Sequence, residues 1–128
     1  MEEYVKVFKA LGEPTRLKIL RILSVRPMYV CELESVLKMS QPRISQHLKV
    51  LKEASVLRES KEAQKTFYMI NGNIMQKVMD DFLQFLAIDI TRLPGFEEEA
   101  LRLKLLDSDQ CVQACKAGED CQCPAVEK

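Results

Sequence analysis

The 128-residue sequence predicts a mainly α chain with a β-hairpin, a winged helix-turn-helix that is dimeric through a long helix. Three observations predict it. Residues Ser40-Gln41-Pro42-Arg43-Ile44-Ser45-Gln46-His47-Leu48 set a polar, hydrogen-bonding row on the outside of a helix whose inside is apolar. Beyond residue 55 the apolar period falls from helical to about two, as a strand pair requires. Beyond Asn71-Gly72-Asn73 a stripe of Met75, Val78, Met79, Phe82, Leu83, Leu86 and Ile90 runs along a helix too apolar to stand alone on a surface.

Tyr4, Val5, Phe8 and Leu11 have helical spacing, and Gly12 stops that first segment. Pro14 suits the first turn of a second helix, where its missing N–H costs nothing. Leu17, Leu20 and Leu23, with Ile19 and Ile22, give that helix a broad apolar face before Pro27 ends it. Val30, Leu33 and Leu37 describe a short third helix from about 29 to 38. Lys38-Met39-Ser40 then turns the chain into the next helix, with Ser40 at the N-cap and Pro42 in the first turn. Ile44, Leu48 and Leu51 at i, i+4 and i+7 supply its buried stripe, so Gln41, Arg43, Ser45, Gln46, Lys49 and Lys52 face away from the core.

Those outward residue types fit double-stranded DNA. Arg and Gln present bidentate groups to guanine and adenine edges, Ser45 reaches a base or a phosphate, and the lysines suit phosphates. Ser40 stands at the same end of the helix and joins this contacting set. Val56 to Ser60 and Lys65 to Ile70 read as the hairpin's strands. The linking Lys61-Glu62-Ala63-Gln64 lacks the glycine or asparagine of tight turns, so a longer loop is expected. A hairpin placed here is a wing, whose Lys61 and Lys65 would lie along the DNA backbone or in the minor groove.

The stripe of the long helix after Gly72 could be intramolecular core, but in so small a domain it is read as a two-fold dimer seam. Leu93-Pro94-Gly95 breaks it, and Glu97 to Leu106 makes one more short helix, acids first and Arg102 and Lys104 late. Residues 1–92 therefore read as a DNA-binding and dimerisation domain, and residues 93–128 as a helix followed by a cysteine-rich sensing tail. From Asp107 onward large apolar residues are too few to fold without a ligand or a partner surface.

Charge and cysteine distribution sharpen the picture. The net charge is zero, yet residues 1–73 carry 13 Lys and Arg against 8 Asp and Glu, while residues 74–128 carry 6 against 11. The basic part holds the proposed reading helix, and the acidic part stays off the phosphates. The acidic start Met1-Glu2-Glu3-Tyr4 is unlike a signal peptide, and no apolar run approaches a membrane span, so a cytoplasmic protein without membrane contact is expected.

Cys31 stands alone, while Cys111, Cys115, Cys121 and Cys123 crowd toward the end. Five cysteines in a cytoplasmic chain point to thiol chemistry or metal binding rather than to a disulfide framework. Sulfur-only donor sets favour soft ions such as arsenite, antimonite, cadmium or lead, and four thiolates also suit zinc. Three close thiolates would suit trivalent arsenic, whose pyramidal coordination takes three, and no organic cofactor is expected. Cys31 by itself reads either as a small half-buried hydrophobe or as a thiol whose pKa is lowered by the first turn of its helix. The sequence holds no glycine-rich phosphate loop, no serine elbow, no His base outside the reading helix and no paired acids in an apolar setting, so no enzyme is expected.

Leu11-Gly12-Glu13-Pro14-Thr15-Arg16-Leu17, the stretch from Ser40 to Leu51 and a wing ending Phe67-Tyr68 together resemble the ArsR/SmtB family of dimeric winged-helix repressors. The similarity covers about residues 4 to 90. It implies operator binding by a homodimer, released by metal or metalloid ions or by thiol oxidation, and here it suggests an arsenite-responsive member. For His47 it implies a structural or backbone-contact role within the DNA-binding set. The family's zinc sites on the dimer helix use His, Asp and Glu, but residues 74–92 hold no His and only Asp80, Asp81 and Asp89. Of the family's cysteine cluster at the third helix, Tyr29-Val30-Cys31-Glu32-Leu33-Glu34 keeps Cys31 alone, and the tail cysteines supply further ligands. Two other readings stay open: a thiol-redox repressor of the same fold, and a constitutive DNA-binding protein whose tail buffers metal or docks a partner.

Overall fold

The structure is a computed structural model that describes residues 1–118. Its contacts divide it into two compact units, Met1–Gln84 and the residues from Phe85 onward. The first unit begins with α1 (Glu2–Leu11), α2 (Pro14–Leu23), β1 (Met28–Tyr29), α3 (Val30–Leu37) and α4 (Gln41–Glu53). The hairpin β2 (Leu57–Glu62) and β3 (Lys65–Ile70) follows, then α5 (Gly72–Ala87), which runs across the division. The fold is therefore a winged helix-turn-helix, as expected from the sequence, with α3 and α4 as the helix pair and β2 and β3 as the wing.

The core of the first unit forms where three helices meet the base of the wing. Ile44 and Leu51 of α4 are 0% exposed and Leu48 is 1%, and they pack with Ile19 of α2, Leu33 of α3 and Val56 just before β2. Each such side chain contributes roughly 1.5–3 kcal/mol relative to exposure. The roll of α4 thus agrees with its i, i+4, i+7 stripe. Two neighbours are rolled differently from expectation. In α1 the buried positions are Val7 and Ala10, with Val5 exposed, because Tyr4 and Phe8 turn their rings onto Phe82 of α5 at 5.9 and 4.8 Å. In α2, Leu17 is exposed while Ile19, Leu20 and Leu23 are buried, so its apolar face is narrower than the sequence implies.

Local chemistry sets the helix ends. Glu13 caps α2 by accepting from the Arg16 backbone N–H at 3.0 Å, with Pro14 at the first position. The Arg16 guanidinium reaches back to the carbonyls of Ala10 at 2.5 Å and Lys9 at 3.3 Å, closing the open end of α1. Lys38 ends α3 in the left-handed conformation, φ 53°. Ser40 does occupy the N-cap of α4, but its side chain accepts no capping bond.

Strand β1 is a finding the sequence does not announce. Its two residues pair antiparallel with β3, Met28 opposite Tyr68 and Tyr29 opposite Phe67, giving a sheet ordered β1-β3-β2. The Tyr29 and Phe67 rings stack at 3.8 Å between centroids. The wing corrects a second expectation. Pairing continues to Glu62 opposite Lys65, so the connection is a two-residue turn, Ala63-Gln64, rather than a longer loop. The tight turn forces Ala63 to φ 57°, where a Cβ is unfavourable.

The second unit contains a 3-10 turn (Ile90–Arg92), α6 (Glu97–Lys104), a second 3-10 turn (Leu106–Ser108) and α7 (Gln110–Lys116). The Phe85 and Phe96 rings meet at 5.7 Å. Helix α5 ends at Ala87, so Ile90 falls in the 3-10 turn and not on the long helix. Among the described residues after Asp107, Gln110–Lys116 forms α7, which Asp109 caps by accepting from the Val112 N–H at 3.2 Å. No helix among the described residues is long and apolar enough to cross a membrane.

The strain at Ala63 yields a test. Replacing it with glycine removes the left-handed penalty at the cost of some unfolded-state entropy, for a net gain of roughly 0.5–1 kcal/mol. Urea unfolding should give a higher midpoint for Ala63→Gly than for wild type. A lower midpoint would mean that the turn is not held in this conformation.

Candidate nucleic-acid interface

With Ile44, Leu48 and Leu51 turned inward, the opposite face of α4 presents exposed Gln41, Arg43, Gln46, Lys49 and Lys52, with Ser45 half-buried beside them. Ser40 is exposed at the helix's N-terminal end. Gln41 and Ser45 are coupled one turn apart, the Gln41 amide donating to the Ser45 hydroxyl at 2.7 Å. That bond orients the amide and leaves its carbonyl oxygen and the hydroxyl's own proton for a ligand. Lys61 and Lys65 are exposed on the wing, and the Lys65 ammonium lies 5.4 Å from the centre of the Tyr29 ring.

His47 lies off this row. It is half-buried, and its Nδ1 stands 3.9 Å from the Glu13 carboxylate that caps α2. Burial raises the Glu13 pKa, but the Arg16 N–H bond and the nearby His47 outweigh it and hold the carboxyl below its ordinary range. His47 therefore stands between α4 and the N-cap of α2.

Lys52 has a partner that its sequence position does not reveal. Its ammonium donates to the Glu59 carboxylate on β2, an ion pair that ties the end of α4 to the wing. The Lys52 bond, ahead of opposing desolvation, lowers the Glu59 pKa, and the Tyr68 hydroxyl of β3 lowers it further. The same pair raises the Lys52 pKa, and desolvation together with Glu59 raises that of Tyr68. Lys52, Glu59 and Tyr68 thus form one brace across α4, β2 and β3. A similar pair holds the start of α3: Arg26 meets Glu32 at 2.6 Å, and Glu32 also accepts from the Tyr29 N–H at 3.0 Å. The Arg26 bond draws the Glu32 pKa down.

Between α3, α4 and β3 lies an open cleft of about 450 Å³, whose lining includes Tyr29, Cys31, Gln41, Ser45 and Lys65. Cys31 is exposed there, so of its two readings the half-buried hydrophobe is corrected. It shares a cleft with two members of the polar row, a proximity that nothing in the spacing of residues 31 and 45 signals.

The other cysteines sit in the second unit. Cys111 is half-buried and Cys115 exposed, one turn apart on α7, while Cys121 and Cys123 lie outside the described residues. Among the described residues, no three His, Cys, Asp or Glu side chains converge to hold a metal ion. On α5, Asp80 accepts from Gln76 at 3.0 Å, and Asp89 caps the following 3-10 turn.

Comparison with known proteins agrees with this geometry. Residues 13–58 match the family described as bacterial regulatory protein, arsR family. An uncharacterized helix-turn-helix-type transcriptional regulator of Methanocaldococcus jannaschii is 41% identical over 83 residues, which cover 62% of this chain and 93% of that one. The arsenic resistance transcriptional regulator ArsR1 of Pseudomonas putida is 35% identical over 100 residues, covering 72% and 78%. Among solved structures, an ArsR-like transcriptional regulator from Rhodococcus superposes with a TM-score of 0.64 at 21% identity, covering 85% of this chain and 95% of that one. That last likeness concerns the fold.

The brace predicts an acid dependence. Because the folded Glu59 pKa lies below its unfolded value, its contribution is present above the unfolded carboxyl pKa of about 4.3 and is lost as pH falls through the folded value. Glu59→Gln should therefore lower stability near neutral pH and flatten the decline in unfolding free energy on acidification. Urea titrations at several pH values check this, and an unchanged slope would show that the brace does not form.

Proposed function

The chain belongs to the arsR family of bacterial regulatory proteins, and from that membership we propose that it is a transcriptional repressor whose homodimer binds operator DNA and lets go when cysteine thiolates capture trivalent arsenic or another soft ion. The observation that carries the DNA reading is the face of α4: three inward apolar residues force Gln41, Arg43, Gln46 and Lys49 outward beside a wing bearing Lys61 and Lys65. Arg43 and Gln46 read base edges, while Ser40, Ser45, Lys49 and the wing lysines hold phosphates. His47 and Lys52, each joined to a second element, set the angle of the helix and approach the backbone from its sides.

Dimerisation runs through α5, where Leu83 is 61% and Leu86 66% exposed despite a strongly apolar sequence. A two-fold dimer sets two reading helices in successive major grooves about 34 Å apart. Residues 1–92 form this binding and dimerisation part, and residues 93–128 the sensing part.

The donor chemistry supports a soft ion. Cys31, Cys111, Cys115, Cys121 and Cys123 offer sulfur, and the sequence's one histidine, His47, faces Glu13. Three thiolates would supply the pyramidal coordination of trivalent arsenic, and the Pseudomonas putida relative is named for arsenic resistance. Release needs only a modest difference between states: a coupling of about 1–3 kcal/mol changes operator affinity roughly 5- to 150-fold.

Three measurements test the parts separately. Arg43→Ala should cost about 1–3 kcal/mol in operator affinity and relax base preference at one position of each half-site, whereas Lys49→Ala should weaken all sequences alike. An unaltered specific-to-nonspecific ratio in Arg43→Ala would remove that residue from base reading. Leu83→Asp places a charge in the proposed seam and should give monomers with little tight operator binding, which sedimentation would detect. Truncation after Asp109 removes four of the five thiols, and the shortened chain should still bind operator yet ignore arsenite. Release equal to that of the full chain would exclude the tail from sensing.

A further inference from the structure

Helix α6 and its C-cap carry two exposed leucines one turn apart, Leu101 at 59% and Leu105 at 56%. Its Ala100 faces inward at 7%, Leu101 and Leu105 lie on one uncovered side, and Leu103, 51% exposed, lies on another. Shallow grooves flank them, one of about 380 Å³ lined by Glu97, Leu101 and Lys104 and one of about 440 Å³ lined by Arg102, Leu105 and Leu106. Exposed apolar side chains beside grooves mark an interaction surface.

The charges around the leucines specify the occupant. Glu97 and Lys104 border one side of the Leu101–Leu105 line, and Glu98 and Arg102, already paired within the helix at 3.2 Å, border the other. In an antiparallel pair of identical helices related by a two-fold axis, each border faces the same border of the other copy. With that axis near Ala100 and Leu101, Glu97 of each copy meets Lys104 of the other, and Glu98 meets Arg102. All four cross-pairs are attractive. A parallel arrangement sets acids against acids, and the antiparallel one also opposes the two helix dipoles favourably.

We propose that α6 is a self-complementary docking helix whose partner is α6 of a second copy of this chain, adding a contact between copies distinct from the α5 seam. Leu101 of each helix seats in the other's groove, and the four ion pairs select the antiparallel register. The surface needs no ligand and does not depend on the identity of the inducer.

Charge reversal tests it with the full chain. One variant carries Glu97→Lys and Glu98→Lys, so that its four border charges are all positive; the other carries Arg102→Glu and Lys104→Glu, so that all are negative. By sedimentation equilibrium each variant alone should dissociate at least about tenfold more readily than wild type. An equimolar mixture should recover wild-type association as a heterodimer. Recovery also shows that both variants fold, since a misfolded helix would not be rescued by its opposite. Variants that self-associate like wild type, or a mixture that fails to recover, overturn the proposal. Leu83→Asp separates the two contacts. If it dissociates the chain while charge reversal does nothing, α5 alone joins the copies; if charge reversal acts and Leu83→Asp does not, α6 pairing stands and the α5 seam falls.

Discussion

The burial of Ile44, Leu48 and Leu51 fixes the roll of α4, and nearly every functional statement about this chain depends on that roll. The three side chains lie at 0%, 1% and 0% exposure and meet α2, α3 and the base of the wing at once. A turn of the helix by one residue would take about 100° of face with it, exposing apolar side chains and burying Arg43 or Lys49 without a partner. Desolvating such a charge costs far more than any single polar contact returns. The polar row is outside because the apolar row cannot be anywhere else.

Around that core, polar links set the helix at an angle to its neighbours. Glu13 caps α2 and faces His47, Arg16 closes α1, and Glu59 holds Lys52 and Tyr68 together. These groups are mostly near the surface, so each contributes little energy alone, but together they define where the wing stands relative to the reading helix. Lys52 shows the consequence. Its position on the helix suggests a phosphate contact, whereas its partner makes it part of the frame.

Elements with strong local periodicity were legible from residue order. The stripe of α4, the Pro14 start of α2, the stop at Gly12 and the two long wing strands all follow from spacing and caps, because their determinants lie within a few residues of one another. What escaped had determinants far apart in the chain. Strand β1 is only two residues long and exists because Tyr68 and Phe67 lie beside it. Val5 and Leu17 are apolar yet exposed, since side-chain pattern alone does not say how wide a neighbour is. The turn at Ala63 is tighter than its residue types predict because the ladder continues to Glu62 and Lys65 and overrides the local cost of a left-handed alanine. The shared cleft of Cys31, Gln41 and Ser45 arises only when α3 and α4 pack. Helix α7 owes its start to the Asp109 cap, a local determinant that composition alone does not show.

In the function proposed above, the basic N-terminal part that holds α4 and the wing is coupled to an acidic, sulfur-bearing remainder. The coupling is a difference in affinity between states, so it is measured most directly on the complex itself. The full chain bound to labelled operator can be titrated in parallel with arsenite, antimonite, cadmium, zinc and an oxidant while fluorescence anisotropy follows release. The account predicts release by arsenite and antimonite under reducing conditions, with a fall in operator affinity of roughly 5- to 150-fold. Full retention of the operator with every soft ion, alongside release by the oxidant alone, would contradict it and make the cysteines redox sensors instead.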